Sequence, residues 1–179
     1  MPDALVVGDA DSSPNEAGGR KRVFMSRADH DGNFGSLGAM DQICKDEAGA
    51  LGGTWLAWAS AENQPASQRH TKANRYLVKD AATQSATPAL TPAGDGYVAH
   101  MGLRSDADGN QIGSGAGTTR AWTGTTAAGA WSGSDCGGWN NTGAKGTAGA
   151  SGSVPTSAWS DSQNDANCDA TLHLYCFEQ

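Results

Sequence analysis

"CDATLHLYC", Cys168–Cys176, decides how the rest of this chain is read. Its second half alternates. Leu172, Leu174 and Cys176 fall on one side of an extended segment and His173 and Tyr175 on the other, because successive side chains of a strand point to opposite faces. The run "ATLHLYCFE" predicts a closing β-strand with Cys176 turned inward beside two leucines. The bracketing cysteines raise the question of partners. The chain has four, Cys44, Cys136, Cys168 and Cys176. No C-x-x-C pair is among them, and structural zinc sites are built on such close pairs, so disulfides in an exported domain are the expectation. Four cysteines permit three pairings, and spacing alone does not choose among them.

Local pattern narrows the choice. In "SLGAMDQICKDEAGAL", Met40, Ile43, Cys44 and Leu51 recur at helical spacing behind Ser36, a residue type that caps helix N-termini. An inward helix cysteine and an inward strand cysteine suit a core bridge between Cys44 and Cys176. Cys136 and Cys168 then remain, in Gly/Ser/Asp-rich surroundings, to clip the long loop region between them. Closing a loop of about thirty residues contributes roughly 3–4 kcal/mol in the chain-entropy picture. The rest of the chain reads as one helix over 36–50, strands at 22–26, 53–60, 75–80, 96–103 and 118–124, an Asp-Gly hairpin turn at 105–113, and a long loop region over 132–157. A single early helix followed by short strands and long loops is α+β. Residues 1–21 read as a linker or tail, and residues 22–179 as one domain.

Composition sets outer limits. Of 179 residues 25 are glycine, only 17% are charged, and the formal net charge is −7. Nucleic acid and heparin-type polyanions need clustered Lys and Arg, so the acidic balance argues against both. Neutral sugars and divalent cations remain compatible. No apolar run approaches the roughly 20 residues that span a bilayer. Membrane contact is therefore expected only through a tether outside this chain.

Several ordered segments resemble the endostatin domain, a variant of the C-type lectin-like fold. "GSLGAMDQICKDEAGALGGTWLAWAS" is similar to that family's helix and following strand, "AWTGTTAAGAWSGSDCGGW" to its later W-x-G strand and Cys-x-x-Trp, and "HLYCFE" to its closing strand. The "DGNFG" and "HLYCFE" segments resemble endostatin-like domains of bacterial surface lipoproteins. The resemblance covers residues 22–179. It implies a small twisted mixed sheet with one or two helices and a long loop region. It also implies Cys44 paired with Cys176 and Cys136 with Cys168. The basic surface with which endostatin binds heparin is absent here, and its N-terminal histidine zinc site has no matching histidines in residues 1–28.

Three segments are candidate sites. Asp29, Asp31 and Asn33 in "DHDGN", and Asp106, Asp108 and Asn110 in "DADGN", offer oxygens at alternate positions, as calcium requires. Neither segment supplies the Gly and Glu that complete an EF-hand, and Asp-Gly also simply makes turns. In "CGGWNNTG", Trp139 flanked by Asn140 and Asn141 could stack a sugar ring and bond its hydroxyls; otherwise Trp139 packs against the clipped loop. Asp161, Asp165 and Asp169 read as a solvated acidic loop. His30, His70, His100 and His173 are scattered, and no nucleophile-elbow or paired-histidine motif is present, so no catalytic role is expected. The expectation is an exported, non-enzymatic recognition domain at the cell surface. Its partner is a glycan, with calcium as the cofactor; an extracellular protein partner or a structural role in an envelope assembly are the alternatives.

Overall fold

The computed structural model describes residues 20–79, 83–113, 119–152, 156–163 and 165–179. In chain order the elements are β1 (Lys21–Met25), α1 (Leu37–Ala48), β2 (Trp55–Ala57), α2 (Ala66–Arg69), β3 (Arg75–Leu77), β4 (Leu90–Ala93), β5 (Gly96–Ala99), β6 (Arg120–Trp122), β7 (Lys145–Gly146), β8 (Ala148–Ala150), β9 (Ala166–Asn167) and β10 (His173–Glu178). The architecture is α+β, with a mixed sheet ordered β5-β4-β3-β1-β10-β6-β8.

The closing strand β10 lies at the centre of that sheet. One edge runs antiparallel to β1, with Phe24 opposite Cys176. The other edge is shared: β6 lies parallel along His173 and Leu174, and β2 antiparallel along Cys176–Glu178. The expected alternation is present, but both faces are buried. Leu174 and Cys176 enter one core cluster with Phe24, Met40, Cys44 and Trp55. Tyr175 and Phe177 enter a second cluster with Trp58, Tyr97 and Trp159. A central strand has core on both sides, so Tyr175 is buried although it alternates with the leucines.

Helix α1 begins where the sequence marks it. The Ser36 side chain accepts from the Ala39 N–H at 3.2 Å, and Leu37, Met40, Cys44 and Ala48 face the sheet. The helix ends at Gly49, whose φ of 45° only glycine adopts cheaply, and a 3₁₀ turn carries Gly49–Leu51. Cys44 is bonded to Cys176, joining α1 to β10 across 132 residues of sequence. Cys136 is bonded to Cys168 across 32 residues. These are the pairs expected from sequence.

Other boundaries moved. Of the expected tail, Arg20 and Lys21 belong to the domain, Arg20 lying 4.3 Å over the Tyr76 ring and Lys21 opening β1; residues 1–19 lie outside the described residues. The expected strand 53–60 shortens to β2, because the chain leaves β10 after Trp58, whose N–H still donates to the Tyr175 carbonyl at 2.8 Å, and Arg69 bonds the Ala57 and Ala59 carbonyls. Strand β4 contains Pro92, which reads as a loop signal; β4 meets β3 only at Leu90, so the missing N–H breaks no bond on that side. Strand β8 lies inside the expected loop. Its small residues carry little strand propensity, but at Gly149 smallness is required: a Cβ there would fall 1.6 Å from the Trp159 carbonyl oxygen.

The second core cluster contains a titratable group. His70 is buried, its Nε2 donating to the Ala57 carbonyl at 3.0 Å and its Nδ1 accepting from the Gln179 amide at 2.9 Å. Burial, with Arg69 and Arg75 nearby, holds its pKa well below the ordinary 6.5. The unfolded chain therefore takes up a proton that the folded chain refuses. Stability is full above pH 6.5 and is lost as pH falls below it toward the depressed folded-state value. Denaturant titrations from neutral pH to about pH 5 are expected to show falling stability, with a shallower fall in His70→Gln.

Candidate functional site on the Trp131 loop face

After β6 the chain makes a hairpin whose Thr125 and Trp131 pair across a turn closed by Thr126 and Gly129. Buried hydroxyls fix its base. Thr123 Oγ1 donates to the Ser160 carbonyl at 2.6 Å, and the Ser60 and Thr125 hydroxyls lie 2.9 Å apart. The next segment, Cys136–Trp139, is a left-handed turn in which φ is 55°, 64°, 74° and 64°. Glycine tolerates this; Cys136 and Trp139 each meet a penalty of roughly 1–2 kcal/mol. Three attachments hold the turn. Cys136 is bonded to Cys168, the Trp139 indole donates to the Ser60 carbonyl at 3.0 Å, and Asp135 Oδ1 accepts from Gly138 N–H at 2.9 Å.

Asp135 also holds the loop's exposed ring: its Oδ2 accepts from the Trp131 indole N–H at 3.1 Å. Trp131 is 37% exposed and is the only large hydrophobic side chain exposed among the described residues. A rigid, partly exposed indole offers an apolar face of the kind that stacks on a polyol ring. Beside it, Thr147 Oγ1 lies 2.8 Å from Ser132 Oγ and 2.9 Å from Asp165 Oδ1, so a hydroxyl relay links the Trp131 strand to the Asp165 carboxylate.

This arrangement corrects the role expected of Trp139. Its ring is 0% exposed, packed edge-on against Phe34 and Trp122, and has no face for a ligand. Asn140 and Asn141 are exposed, but Asn141 Oδ1 accepts from Gly143 N–H at 2.9 Å within the turn. Of the acidic loop, Asp165 and Asp169 are exposed and Asp161 is half-buried.

The two candidate calcium segments have other engagements. Asp106 Oδ1 accepts from the Asp108 and Asn110 N–H groups at 2.9 and 2.8 Å, and its Oδ2 from Arg27 at 3.2 Å and Asn110 at 3.3 Å. Arg27 also reaches Asp108, so one guanidinium bridges the two carboxylates. These bonds outweigh burial and hold the Asp106 pKa below the ordinary carboxylate value. In the other segment Asp31 Oδ1 accepts from Asn33 N–H at 3.0 Å, while Asp29 accepts from Thr171 at 2.8 Å. Asp29 and Asp31 thus face different partners. No group of three His, Cys, Asp or Glu side chains among the described residues is placed to hold a metal ion.

Two open pockets lie elsewhere. One, of about 220 Å³, is lined by Leu77, Arg104, Ser105 and Gln111. The other, of about 300 Å³, is lined by Arg20, Arg22, Thr83, Gln84 and Glu178, and there Arg22 is already bound to Glu178 at 2.7 Å. The first abuts the 105–113 hairpin through Ser105, Gly109 and Gln111, but none of Asp106, Asp108 and Asn110 is among its lining residues. No protein-family model matches the chain, and no curated protein matches it.

Trp131 was missed because "WSGSDCGGW" carries a tryptophan at each end and nothing local says which faces water. The available signal was the cysteine. Trp139, three residues beyond a disulfide half, is drawn in with it; Trp131, four residues before Asp135, is left at the rim.

Proposed function

We propose that this domain is an exported, non-enzymatic recognition module of the C-type lectin-like type that binds carbohydrate on the Trp131 loop face. The observation that carries the reading is a single exposed indole fixed by a buried aspartate while Trp139, a few residues away, is buried. Monomeric domains leave scattered apolar residues exposed, but a tryptophan held in one orientation presents contact area without further loss of side-chain entropy on binding. Two disulfides support the export part of the reading, since such bonds persist in oxidising compartments. The lectin-like assignment is supported by the resemblance in the helix, the W-x-G strand and the closing strand. It is also supported by a central last strand bonded to α1 and a loop excursion clipped by its own bridge.

The reading does not require calcium. Arg27 supplies the positive charge between Asp106 and Asp108. Millimolar calcium is therefore expected to leave the melting temperature unchanged; a rise with concentration would reveal a native-state site.

The function is tested on a glycan array with the native domain, Trp131→Ala, and the double variant Asn140→Ala/Asn141→Ala. Binding by the native domain, loss of about tenfold or more in Trp131→Ala and retention in the double variant are expected. Absence of any glycan ligand, with capture of an extracellular protein, would replace the reading with an adhesin. Equal binding by Trp131→Ala would place the site elsewhere.

A further inference from the structure

The turn that carries Asp135 does not hold itself. Cys136, Gly137, Gly138 and Trp139 have φ of 55°, 64°, 74° and 64°. The two glycines take this backbone freely, whereas Cys136 must be kept there against its own Cβ. Its bond to Cys168 is the covalent attachment that keeps it. The residue before it is Asp135, whose two oxygens accept from the Gly138 N–H at 2.9 Å and from the Trp131 indole N–H at 3.1 Å. The strained residue and the support of the exposed ring are thus consecutive in the chain, and strain of this kind gathers at switch regions.

The two bridges are unequally set. Cys44–Cys176 joins α1 to the central strand β10, which has strands on both edges. Cys136–Cys168 lies beside β7 and β9, a ribbon of two residues per strand that is separate from the main sheet. Gly146 of that ribbon pairs with Asp135. Both cysteines are buried, but their chain neighbours Gly137, Asn167 and Asp169 are exposed. A ribbon this short opens locally far more easily than a central sheet, and its opening bares the bond.

We infer that the Cys136–Cys168 bond is a redox gate on the Trp131 face. As regulation of binding, the gate rests on the carbohydrate-binding reading. A thiolate of a dithiol reductant attacks one sulfur and the S–S bond breaks; the reductant's second thiol then displaces the first from the mixed disulfide. Two electrons and two protons pass to Cys136 and Cys168, which become thiols, and the reductant becomes a cyclic disulfide. Freed, Cys136 leaves the left-handed region. Asp135 then no longer reaches Gly138 and the indole together, and Trp131 loses its fixed orientation. Reoxidation restores it.

Two variants remove the same bond and differ in strain. Cys136→Ala/Cys168→Ala keeps a Cβ at the left-handed position, and Cys136→Gly/Cys168→Ala removes it. Nitrogen-proton spectra of the free domain read the outcome at the Trp131 indole N–H, with Trp55, Trp58 and Trp159 reporting the intact fold. In the alanine variant the Trp131 signal is expected to shift and its N–H to exchange about tenfold faster, the size of one residue's Cβ penalty. In the glycine variant both are expected to stay near their native values. The native domain in dithiothreitol is expected to behave as the alanine variant does, with alkylation mapped to Cys136 and Cys168 while Cys44 and Cys176 stay bonded. Its affinity for a glycan found on the array is then expected to fall about tenfold. An unmoved Trp131 signal in the alanine variant, equal shifts in the two variants, or both bridges opening at the same dithiol concentration would overturn the gate. Loss of the Trp55, Trp58 and Trp159 signals on opening this bridge alone would overturn it too, since the bond would then hold the whole fold. All of these are read without a ligand, so the gate can fail while carbohydrate binding stands, and the reverse.

Discussion

Replacing Cys44 and Cys176 together by alanine is expected to lower the unfolding free energy by about 4–5 kcal/mol and the melting temperature by about 10–20 °C. The bond spans 132 residues, so its loss returns nearly the whole chain's loop entropy to the unfolded state. Both sulfurs also sit in the core between α1 and β10, with each cysteine 0% exposed, so the substitution leaves a void as well. Strand β10 holds β1, β2 and β6 together, and loosening it loosens the sheet. The companion variant without Cys136 and Cys168 closes only 32 residues and is expected to cost less, about 3–4 kcal/mol. Thermal melts of the two variants give the comparison. Equal small losses would show that β10 is not the element on which the fold depends.

Trp139→Ala is the second large effect, about 3–5 kcal/mol. The ring is fully buried against Phe34 and Trp122, and its N–H satisfies the Ser60 carbonyl inside the protein. Removing it empties a tryptophan-sized volume and leaves that carbonyl unpaired. It also removes one of the three attachments of the left-handed turn at Cys136–Trp139, so Asp135 and the Trp131 ring above it lose their support. Trp131→Ala, by contrast, removes a ring already 37% exposed and one hydrogen bond, and is expected to cost about 1 kcal/mol or less. Urea denaturation of both variants separates a structural tryptophan from a surface one. Comparable losses would mean that the two rings play the same role.

Much of the frame is legible in particular residues. Ser36, the spacing of Met40 and Cys44, and the alternation of Leu172, Leu174 and Cys176 announce the helix, the closing strand and the bond between them. Those signals are local, a cap and two periodicities, and they survive folding unchanged. Strand β8 is not legible, because Ala148, Gly149 and Ala150 carry little strand propensity and Gly149 is required by the close approach of the Trp159 carbonyl. The site is less legible still. "DADGN" has the spacing of a cation loop, yet the cation it meets is Arg27, about eighty residues earlier in the chain. "CGGWNN" has the look of a sugar platform, yet its tryptophan turns inward because the turn preceding it is left-handed. Surface chemistry in this fold is assembled by contacts between distant segments, and a short motif does not carry them.

The central functional claim is that one of the six tryptophans is a binding platform and the others are core. Nitrogen-proton correlation spectra of the labelled domain resolve the indole N–H signals, and titration with a glycan that the native domain binds on the array tests the claim directly. The Trp131 signal is expected to move, with those of Trp55, Trp58, Trp122, Trp139 and Trp159 in place. Movement of the Trp139 signal while Trp131 stays fixed, or no movement of any indole signal, would contradict the account.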